Sequence, residues 1–397
     1  MQFHTEPKTA AEAAVLARCR RLTEFVWTPV RELPTYTRDK GSFTLPAGVP
    51  IKGFPYSSTE KTDSFITENV SLRTFLSAID NPDSKIYQPG QGQFYTCNFG
   101  IVCNGLARYA LGIPYRVSTA RWETIPGMRR VADRGCYKAE DIRLLDVLYA
   151  FGEGRNHVAM ITDIVKDENG NILSIEVSDA IRPACARRSF TPEAFFEKWA
   201  LFHLDRYDYL ESVPLLDAET DALLDNFRQS EKPPRIAVDN GDFSNYRLGE
   251  DVLLSTFLEG ADEVELISEG AVLETYKVFG HAMITLAPKR GYYELRLKST
   301  GECVHFAVVG AKTSYEAEDG LITVTADPCD KKSEIHYMDF RVFGKGCASL
   351  EKYEELTDEE KQSGRFSRQI PAAAENFKGY FKNAYGVWVH PMTKIPK

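Results

Sequence analysis

The sequence lacks the features that identify membrane-spanning, nucleic-acid-binding and nucleotide-binding proteins. No run of about 18 apolar residues occurs, so no membrane-spanning helix is expected. No block of Lys and Arg stands out and the net charge is −9, which disfavours nucleic acid and anionic membranes as partners. The patterns GxGxxG and GxxxxGK are also missing, so nothing in the sequence supports nucleotide chemistry.

Metal-binding and secretion signals are missing as well. No CxxC, HExxH or clustered Cys/His spacing occurs, so neither a metal nor an organic cofactor is expected. The 8 cysteines are scattered, which favours free thiols over a disulfide framework. The first residues, MQFHTEPKTAAEAAVLARCRRLTEF, lack the apolar core of a signal peptide. The chain as it stands is therefore expected in the cytoplasm, or in the cell wall or secreted if a leader was removed.

The length of 397 residues predicts two or three domains. Residues 1–212 mix helical and strand patterns and predict an α+β domain, and the polar, Pro-Pro-containing stretch 213–235 reads as a linker. Short alternating runs separated by turn residues then predict an antiparallel β-sandwich of the Ig-like type over 236–312. A weaker form of the same pattern predicts a second sandwich-like domain over 313–397.

Several elements can be placed within the first domain. Helices are predicted over 9–25, 73–82, 103–111 and 191–202, the last with Thr191 as its N-cap. Strands are predicted over 146–151, 157–165 and 172–180.

Cys103 is the first candidate for chemistry. In CNGLARYALGIP it opens an apolar helical face that ends at Gly112, so it lies in the first helical turn. Free backbone N–H groups at a helix start stabilise a thiolate and can bind an oxyanion. The alternative is a small buried hydrophobic residue, the commoner role of a free cysteine. Cys97, in the aromatic loop FYTCNF, has neither a helix nor spaced partners.

His157 and Asp179 supply the possible partners. The D-x-N-G pattern of DENGN predicts a type I turn with a G1 bulge, which opposes Ala159 to Asp179. His157 then lies diagonally beside Asp179, about 7–8 Å away between Cα atoms. A two-residue turn would put Ser178 there instead, and a surface acid at a strand end is the alternative role for Asp179. A Cys–His–Asp triad would use Cys103 as nucleophile, His157 as acid and base, and Asp179 as the group that orients the imidazole.

These residues resemble a known family. The stretch GIVCNGLARYALGI is similar to DCSGLVQYVY of NlpC-type papain-like cysteine peptidases, LLDVLYAFGEGRNHVAMITDI to their GD-(aliphatic)…HVGIY segment, and KGFPYSS to their G-x-PY motif. The resemblance covers about residues 45–185 and places Tyr56, Cys103, Asp146 and His157 in the family's order. It departs from the pattern at Leu145, where the family has Gly, and at the residue after the cysteine.

The resemblance implies a papain-like catalytic domain whose cysteine helix packs on a small antiparallel sheet. It implies that Tyr56 lies near the nucleophile and the substrate backbone, and Ser57 and Asn104 are further candidates for substrate or oxyanion binding. Asp146 is expected behind the catalytic residues. The implied substrate is a short peptide, such as the stem peptide of peptidoglycan.

The sequence therefore predicts a cysteine peptidase or amidase that acts on cell-wall peptides. Its sandwich domains are candidates for binding wall polymer or protein. One alternative is a non-catalytic wall- or partner-binding protein on a decayed peptidase fold. Another is a transglutaminase-like acyltransferase, because such enzymes share the order Cys, His, Asp.

Overall fold

Contacts between Cα atoms divide the chain into two units, each formed from two stretches of sequence. The first unit comprises Met1–Phe65 and Tyr87–Arg228, and the second comprises Ile66–Ile86 and Gln229–Lys397. The computed structural model describes residues 2–37, 41–57, 62–63, 66–67, 71–88, 99–113, 119, 122–125, 127–150, 156–205, 218–309, 312–318, 321–327, 337–342, 350–355, 357–363, 365–369, 376–378, 381–385, 387–389 and 392–394. The predicted domain boundaries at 212 and 235 differ from this division and stay predictions.

The helices are α1 (Ala10–Glu24), α2 (Leu72–Ala78), α3 (Cys103–Leu111), α4 (Pro192–Phe196), α5 (Ala218–Asn226) and α6 (Asp358–Ser363). The strands as far as residue 204 are β1 (Phe3–His4), β2 (Val26–Trp27), β3 (Leu33–Thr37), β4 (Gly41–Leu45), β5 (Ile51–Lys52), β6 (Thr62–Asp63), β7 (Ile66–Thr67), β8 (Met128–Ala132), β9 (Val147–Ala150), β10 (His157–Lys166), β11 (Ile172–Ala180), β12 (Cys185–Phe190) and β13 (Ala200–Leu204).

The first unit is built on one antiparallel sheet in the order β12-β11-β10-β9-β13-β8, with β1 paired to the far end of β10. Helix α1 packs on one face, where the Cys19 thiol lies 3.9 Å from the Met160 sulfur. The other face carries an apolar core that includes Ile161, Val177 and Trp199. This unit is therefore mixed α and β, as the sequence predicts.

The β10–β11 hairpin has the predicted register at its functional end. Asp167 N–H donates to the Asn171 carbonyl and Gly170, at φ +84°, donates to Asp167, which gives the predicted turn with a G1 bulge. Register shifts after Ile161 and again after Val165 cancel each other. Met160 therefore opposes Ser178, as the turn alone predicts.

The predicted helix 191–202 is wrong over its second half. Thr191 is the N-cap, as predicted, but α4 ends at Phe196 and β13 begins at Ala200. Every residue of β13 is buried. A strand buried on both faces is continuously apolar and has no period of two, so its pattern is easily mistaken for a helix continuing from α4.

Helix α5 lies within the stretch predicted to be a linker. In the structure it belongs to the first unit and packs on other helices of that unit. Asp221 accepts from Arg18 at 3.3 Å and from the Tyr109 hydroxyl at 2.5 Å. Asp225 accepts two bonds from Arg21, at 2.7 and 2.8 Å. These contacts tie α5 to both α1 and α3, the helix that begins at Cys103.

The second unit is rich in strands. Its further strands are β14 (Ile236–Val238), β15 (Ser244–Tyr246), β16 (Val252–Ser268), β17 (Ala271–Leu286), β18 (Gly291–Leu297), β19 (Cys303–Val308), β20 (Lys312–Glu318), β21 (Leu321–Asp327), β22 (Tyr337–Val342), β23 (Leu350–Glu355), β24 (Arg365–Gln369), β25 (Asn376–Lys378), β26 (Phe381–Lys382), β27 (Trp388–Val389) and β28 (Met392–Lys394). A six-stranded sheet joins β14 to β19, in which β15 runs parallel to β19. Part of the predicted pattern of short alternating runs forms one long hairpin, β16–β17, whose register breaks between Phe257 and Ala261.

Helix α2 lies in the second unit although its sequence interrupts the first. The Ser77 hydroxyl accepts from Asp242 N–H at 2.7 Å, and the Asn81 amide donates to the Val238 carbonyl at 3.3 Å. The Lys85 ammonium lies 3.1 Å from the Asp239 carboxylate. Across the part of the chain that the structure describes, no helix is long and apolar enough to cross a membrane.

Candidate functional site

Cys103 is the first residue of α3 and is almost fully buried, with 7% of its surface exposed. The preceding residue, Val102, provides no side-chain cap for the first turn of the helix. Backbone N–H groups of Asn104 and Val158 hydrogen-bond to the Cys103 sulfur. The sequence placed Cys103 at a helix start, and the structure confirms that position.

His157 and Asp179 meet as the hairpin register predicts. The His157 Nε2 atom lies 2.8 Å from Asp179 Oδ2. The carboxylate is completely buried, while 24% of the imidazole side chain is exposed. His157 also hydrogen-bonds Cys103. Since Nε2 is engaged by the carboxylate, Nδ1 is the ring atom left to face the thiol.

The pKa of the Cys103 thiol is lowered and the pKa of the His157 imidazole is raised. Both shifts favour a thiolate–imidazolium pair. Burial opposes ionisation of the Cys103 thiol, but the hydrogen bond and charge of His157, together with backbone hydrogen bonds from Val158 and Asn104, outweigh burial and lower the thiol pKa. Burial likewise opposes the imidazolium, but hydrogen bonds with Asp179 and Cys103 raise the pKa of His157 to about 9. The three side chains can therefore hold a charged nucleophile beside a proton donor near neutral pH.

Two residues around this cluster were not found from the sequence. Arg188, on β12, donates from Nε to Asp179 Oδ1 at 3.3 Å and from its terminal nitrogen to Oδ2. The buried Trp199 ring lies 5.8 Å from the His157 ring, between centroids. Both residues come from strands or turns that meet the hairpin only in the folded sheet, so no local motif identifies them.

The segment that holds Tyr56 and Ser57 is fixed by its backbone. Tyr56 N–H donates to the Pro183 carbonyl at 3.0 Å, and Ser57 N–H donates to the Ile101 carbonyl at 3.4 Å. The segment thus joins the strand end after Asp179 to the residues before Cys103. Ser57 is buried and Tyr56 is half-buried. The backbone bond from Ser57 to Ile101 places both residues near the start of the cysteine helix.

Two glycines allow this close backbone approach. A Cβ at Gly53, which has φ +100°, would overlap the Cys185 carbonyl oxygen. A Cβ at Gly100 would overlap the Pro55 carbonyl oxygen. The glycine of the G-x-PY-like motif is therefore required for packing against the chain that follows Asp179.

Asp146 contacts another histidine and not His157. Its Oδ1 lies 2.6 Å from His203 Nδ1, and its Oδ2 accepts from Arg143 N–H at 2.7 Å. Burial raises the pKa of Asp146 to about 6, against the lowering effect of the bonds with His203 and Arg143. Asp146 thus anchors the start of β9 to β13. No sequence pattern pointed to His203, which follows the predicted helix 191–202 and lies in a strand that begins inside that range.

Leu145 lies where the motif that this stretch resembles has a glycine. Its φ is +69°, the left-handed region in which glycine is favoured, and its side chain is completely buried. Leu145 thus has a backbone conformation in which glycine is favoured, before Asp146. Burial of an apolar side chain offsets the cost of that conformation.

A second Cys–His contact, in the other unit, lacks this activation. Cys303 Sγ lies 3.8 Å from His305 Nε2, and His305 Nδ1 lies 3.4 Å from Asp242 Oδ1. Cys303 begins a strand and not a helix. Burial, followed by the charges of Glu294 and Asp242, raises the thiol pKa. The same residue types therefore do not by themselves produce a thiolate.

Within the described ranges, no group of three or more His, Cys, Asp or Glu residues could hold a metal ion. Cys97 lies outside those ranges, so its prediction has no structural counterpart.

No family model and no curated protein matches the chain. Among solved structures, the chain is similar to native alpha-2-macroglobulin from Escherichia coli spanning domains NIE–MG1, at 6% identity and a TM-score of 0.17, over 40% of this chain and 96% of the other. It is also similar to domains 3 and 4 of rat CD4, at 12% identity and a TM-score of 0.22, over 38% of this chain and 98% of the other. TM-scores of this size assign neither fold nor function.

Proposed function

We propose that the protein is a cysteine peptidase or amidase of the NlpC type that cleaves an amide bond in short peptides such as the peptidoglycan stem. The observation that supports this most is the arrangement of a helix-start cysteine, a histidine and a buried carboxylate: Cys103, His157 and Asp179. The substrate class rests on the sequence resemblance alone. In this proposal the first unit has the papain-like fold and the second contains Ig-like sandwich domains.

The proposed reaction has two steps. The Cys103 thiolate attacks the carbonyl carbon while the His157 imidazolium gives its proton to the leaving amine, so the C–N bond breaks and a thioester forms. Neutral His157 then takes a proton from water, which attacks the thioester and releases the acid and the thiolate. Backbone N–H groups at the start of α3, including that of Asn104, are the proposed donors to the oxyanion, with Tyr56 and Ser57 beside the substrate backbone.

The test is to incubate the full chain with soluble peptidoglycan fragments and to weigh the products. Wild type is expected to produce fragments that have gained one water, and Cys103→Ala is expected to produce none. Cys303→Ala is the matched control, because it removes a cysteine that also lies beside a histidine. Hydrolysis that persists in Cys103→Ala would refute the proposal.

The same experiment separates the alternatives. With a competing amine present, a transglutaminase-like acyltransferase would give an amide product in place of the acid. A non-catalytic binding protein would return intact fragments from wild type and from Cys103→Ala alike, and would retain the fragments in an equilibrium binding measurement.

A further inference from the structure

Arg188 approaches Asp179 through the pairing of β11 with β12. Val177 opposes Arg188 in the register, and Asp179 opposes Ala186, so the arginine lies diagonally beside the acid on the same face of the sheet. Its Nε donates to Oδ1 at 3.3 Å, and its terminal nitrogen donates to Oδ2. His157 Nε2 shares Oδ2 at 2.8 Å. Both carboxylate oxygens are thus held by the guanidinium, and one of them also by the imidazole.

We propose that Arg188 is a positioning residue that holds both carboxylate oxygens of Asp179 and aims Oδ2 at His157 throughout the reaction. The proposal rests on the proposed function only for its effect on turnover. The geometric pairing can be tested without any substrate.

The need for a permanent cation follows from burial. Asp179 has no exposed surface, and a buried carboxylate is costly unless a charged partner compensates it. His157 is a cation for only part of the proposed cycle, since it gives up its proton to the leaving amine. At that stage Arg188, which does not deprotonate in proteins, is a cation that stays hydrogen-bonded to the carboxylate. Without it, the buried carboxylate would lose its permanent charged partner and the guanidinium that holds both of its oxygens in place.

The Arg188 guanidinium also packs on an aromatic ring. Its central carbon lies 5.4 Å from the centroid of the Phe190 ring, and the Lys198 ammonium lies 5.1 Å from the same ring. The planar fork of arginine can bond two carboxylate oxygens at once, which the single ammonium of lysine cannot do. The site therefore requires the shape of the side chain as well as its charge.

Several other titratable groups face this pair and contribute to any pH profile. They are Cys103 on α3, Lys198 after α4, and Cys185 at the start of β12. Cys185 is buried, and burial raises its pKa well above the usual range, so it stays a thiol near neutral pH. Lys198 is a second cation near Asp179, and burial followed by the charge of Arg188 lowers its pKa.

The test follows the alkylation of Cys103 by iodoacetamide as a function of pH, with the modified residue identified by mass spectrometry. Arg188→Met is expected to raise both apparent pKa values of the Cys103–His157 pair, because removing a nearby positive charge favours the protonated forms. Arg188→Lys keeps the charge and is expected to leave the profile near that of wild type. In hydrolysis assays both variants are expected to lose roughly 10- to 100-fold in kcat with little change in KM.

Arg187→Met is the matched control. Arg187 precedes Arg188 on the same strand with a similar exposure, 32% against 31%, but pairs with Glu24 and Glu176. It is expected to behave as wild type in both measurements. The proposal is overturned if the Arg188→Met profile coincides with that of Arg187→Met, or if Arg188→Lys retains the wild-type kcat. If wild type hydrolyses nothing, the proposed function fails, while the shift in alkylation still decides the role of Arg188.

Discussion

The 2.8 Å contact between His157 Nε2 and Asp179 Oδ2 joins the first residue of β10 to the penultimate residue of β11. It fixes which ring nitrogen remains for Cys103, since Nε2 is engaged by the carboxylate. Because the carboxylate is completely buried, water does not compete for it. The imidazole is therefore oriented by a bond that solvent does not weaken.

The pH dependence of hydrolysis follows from the two shifted ionisations. The competent form has Cys103 as thiolate and His157 as imidazolium. Activity is expected to rise as the pH passes the lowered pKa of Cys103 and to fall as the pH passes about 9, where His157 loses its proton. A measurement of kcat/KM against pH should give a bell with a basic limb well above the ordinary range of histidine. A basic limb between pH 6 and 7, the ordinary range of histidine, would contradict the assigned pairing.

Replacing Asp179 by Asn should change both the rate and the profile. The amide keeps the size of the side chain but removes the negative charge, so the pKa of His157 falls and the basic limb moves to lower pH. We expect kcat to fall roughly 10²- to 10⁴-fold, the range of general acid–base catalysis.

Asp163→Asn is the control for that change, because Asp163 forms a surface contact with His4 at 2.5 Å. It should leave kcat and the basic limb unchanged. An equal effect of the two substitutions would remove Asp179 from the proposed mechanism.

At position 145 the glycine variant should be more stable than the alanine variant, which is the reverse of the usual order. Both substitutions lose a buried leucine, at about 2–5 kcal/mol, but only glycine removes the left-handed backbone cost of roughly 1–2 kcal/mol. Leu145→Gly is therefore expected to have a higher free energy of unfolding than Leu145→Ala, measured by denaturant titration. At Leu148, buried in β9, the order should be the ordinary one, with alanine the more stable.

Gly53→Ala should perturb the site, whereas Gly48→Ala should not. Both glycines have positive φ, +100° and +74°, so each substitution costs roughly 1–2 kcal/mol of conformational energy. A Cβ at Gly48 meets nothing within 4 Å, while one at Gly53 overlaps the Cys185 carbonyl oxygen and adds roughly 1–3 kcal/mol of overpacking. Thermal unfolding and kcat should both decrease at Gly53, and kcat should stay unchanged at Gly48. A decrease in kcat of equal size at both positions would contradict a specific role for the Gly53 contact.

The local parts of the candidate site could be predicted from the sequence. The D-x-N-G turn determined the hairpin register, and the apolar face of α3 determined the position of Cys103, because both signals act over a few neighbouring residues. Two bulges inside the hairpin were not visible, yet they cancel before the register reaches Asp179. The prediction at the site end was therefore unaffected by them.

The remaining parts depend on pairings between distant segments. Arg188 reaches Asp179 only because β12 pairs with β11 in one register, and His203 reaches Asp146 only because β13 lies beside β9. The run that contains His203 is apolar without a period, so its pattern gives no sign of a central strand. Contacts with the rest of the second unit likewise determine where α2 lies. The sequence of α2 predicts only that it is a helix.

The most direct test of the central claim is the site of alkylation by limiting iodoacetamide at pH 6. Cys103 is expected to react first although it is buried, because it alone of the cysteines with a described pKa shift has that pKa lowered. The exposed thiols of Cys136 and Cys303 are the internal controls for accessibility and should react after Cys103. If Cys103 stays unmodified while Cys136 and Cys303 react, Cys103 is not an activated nucleophile and the proposed mechanism is wrong.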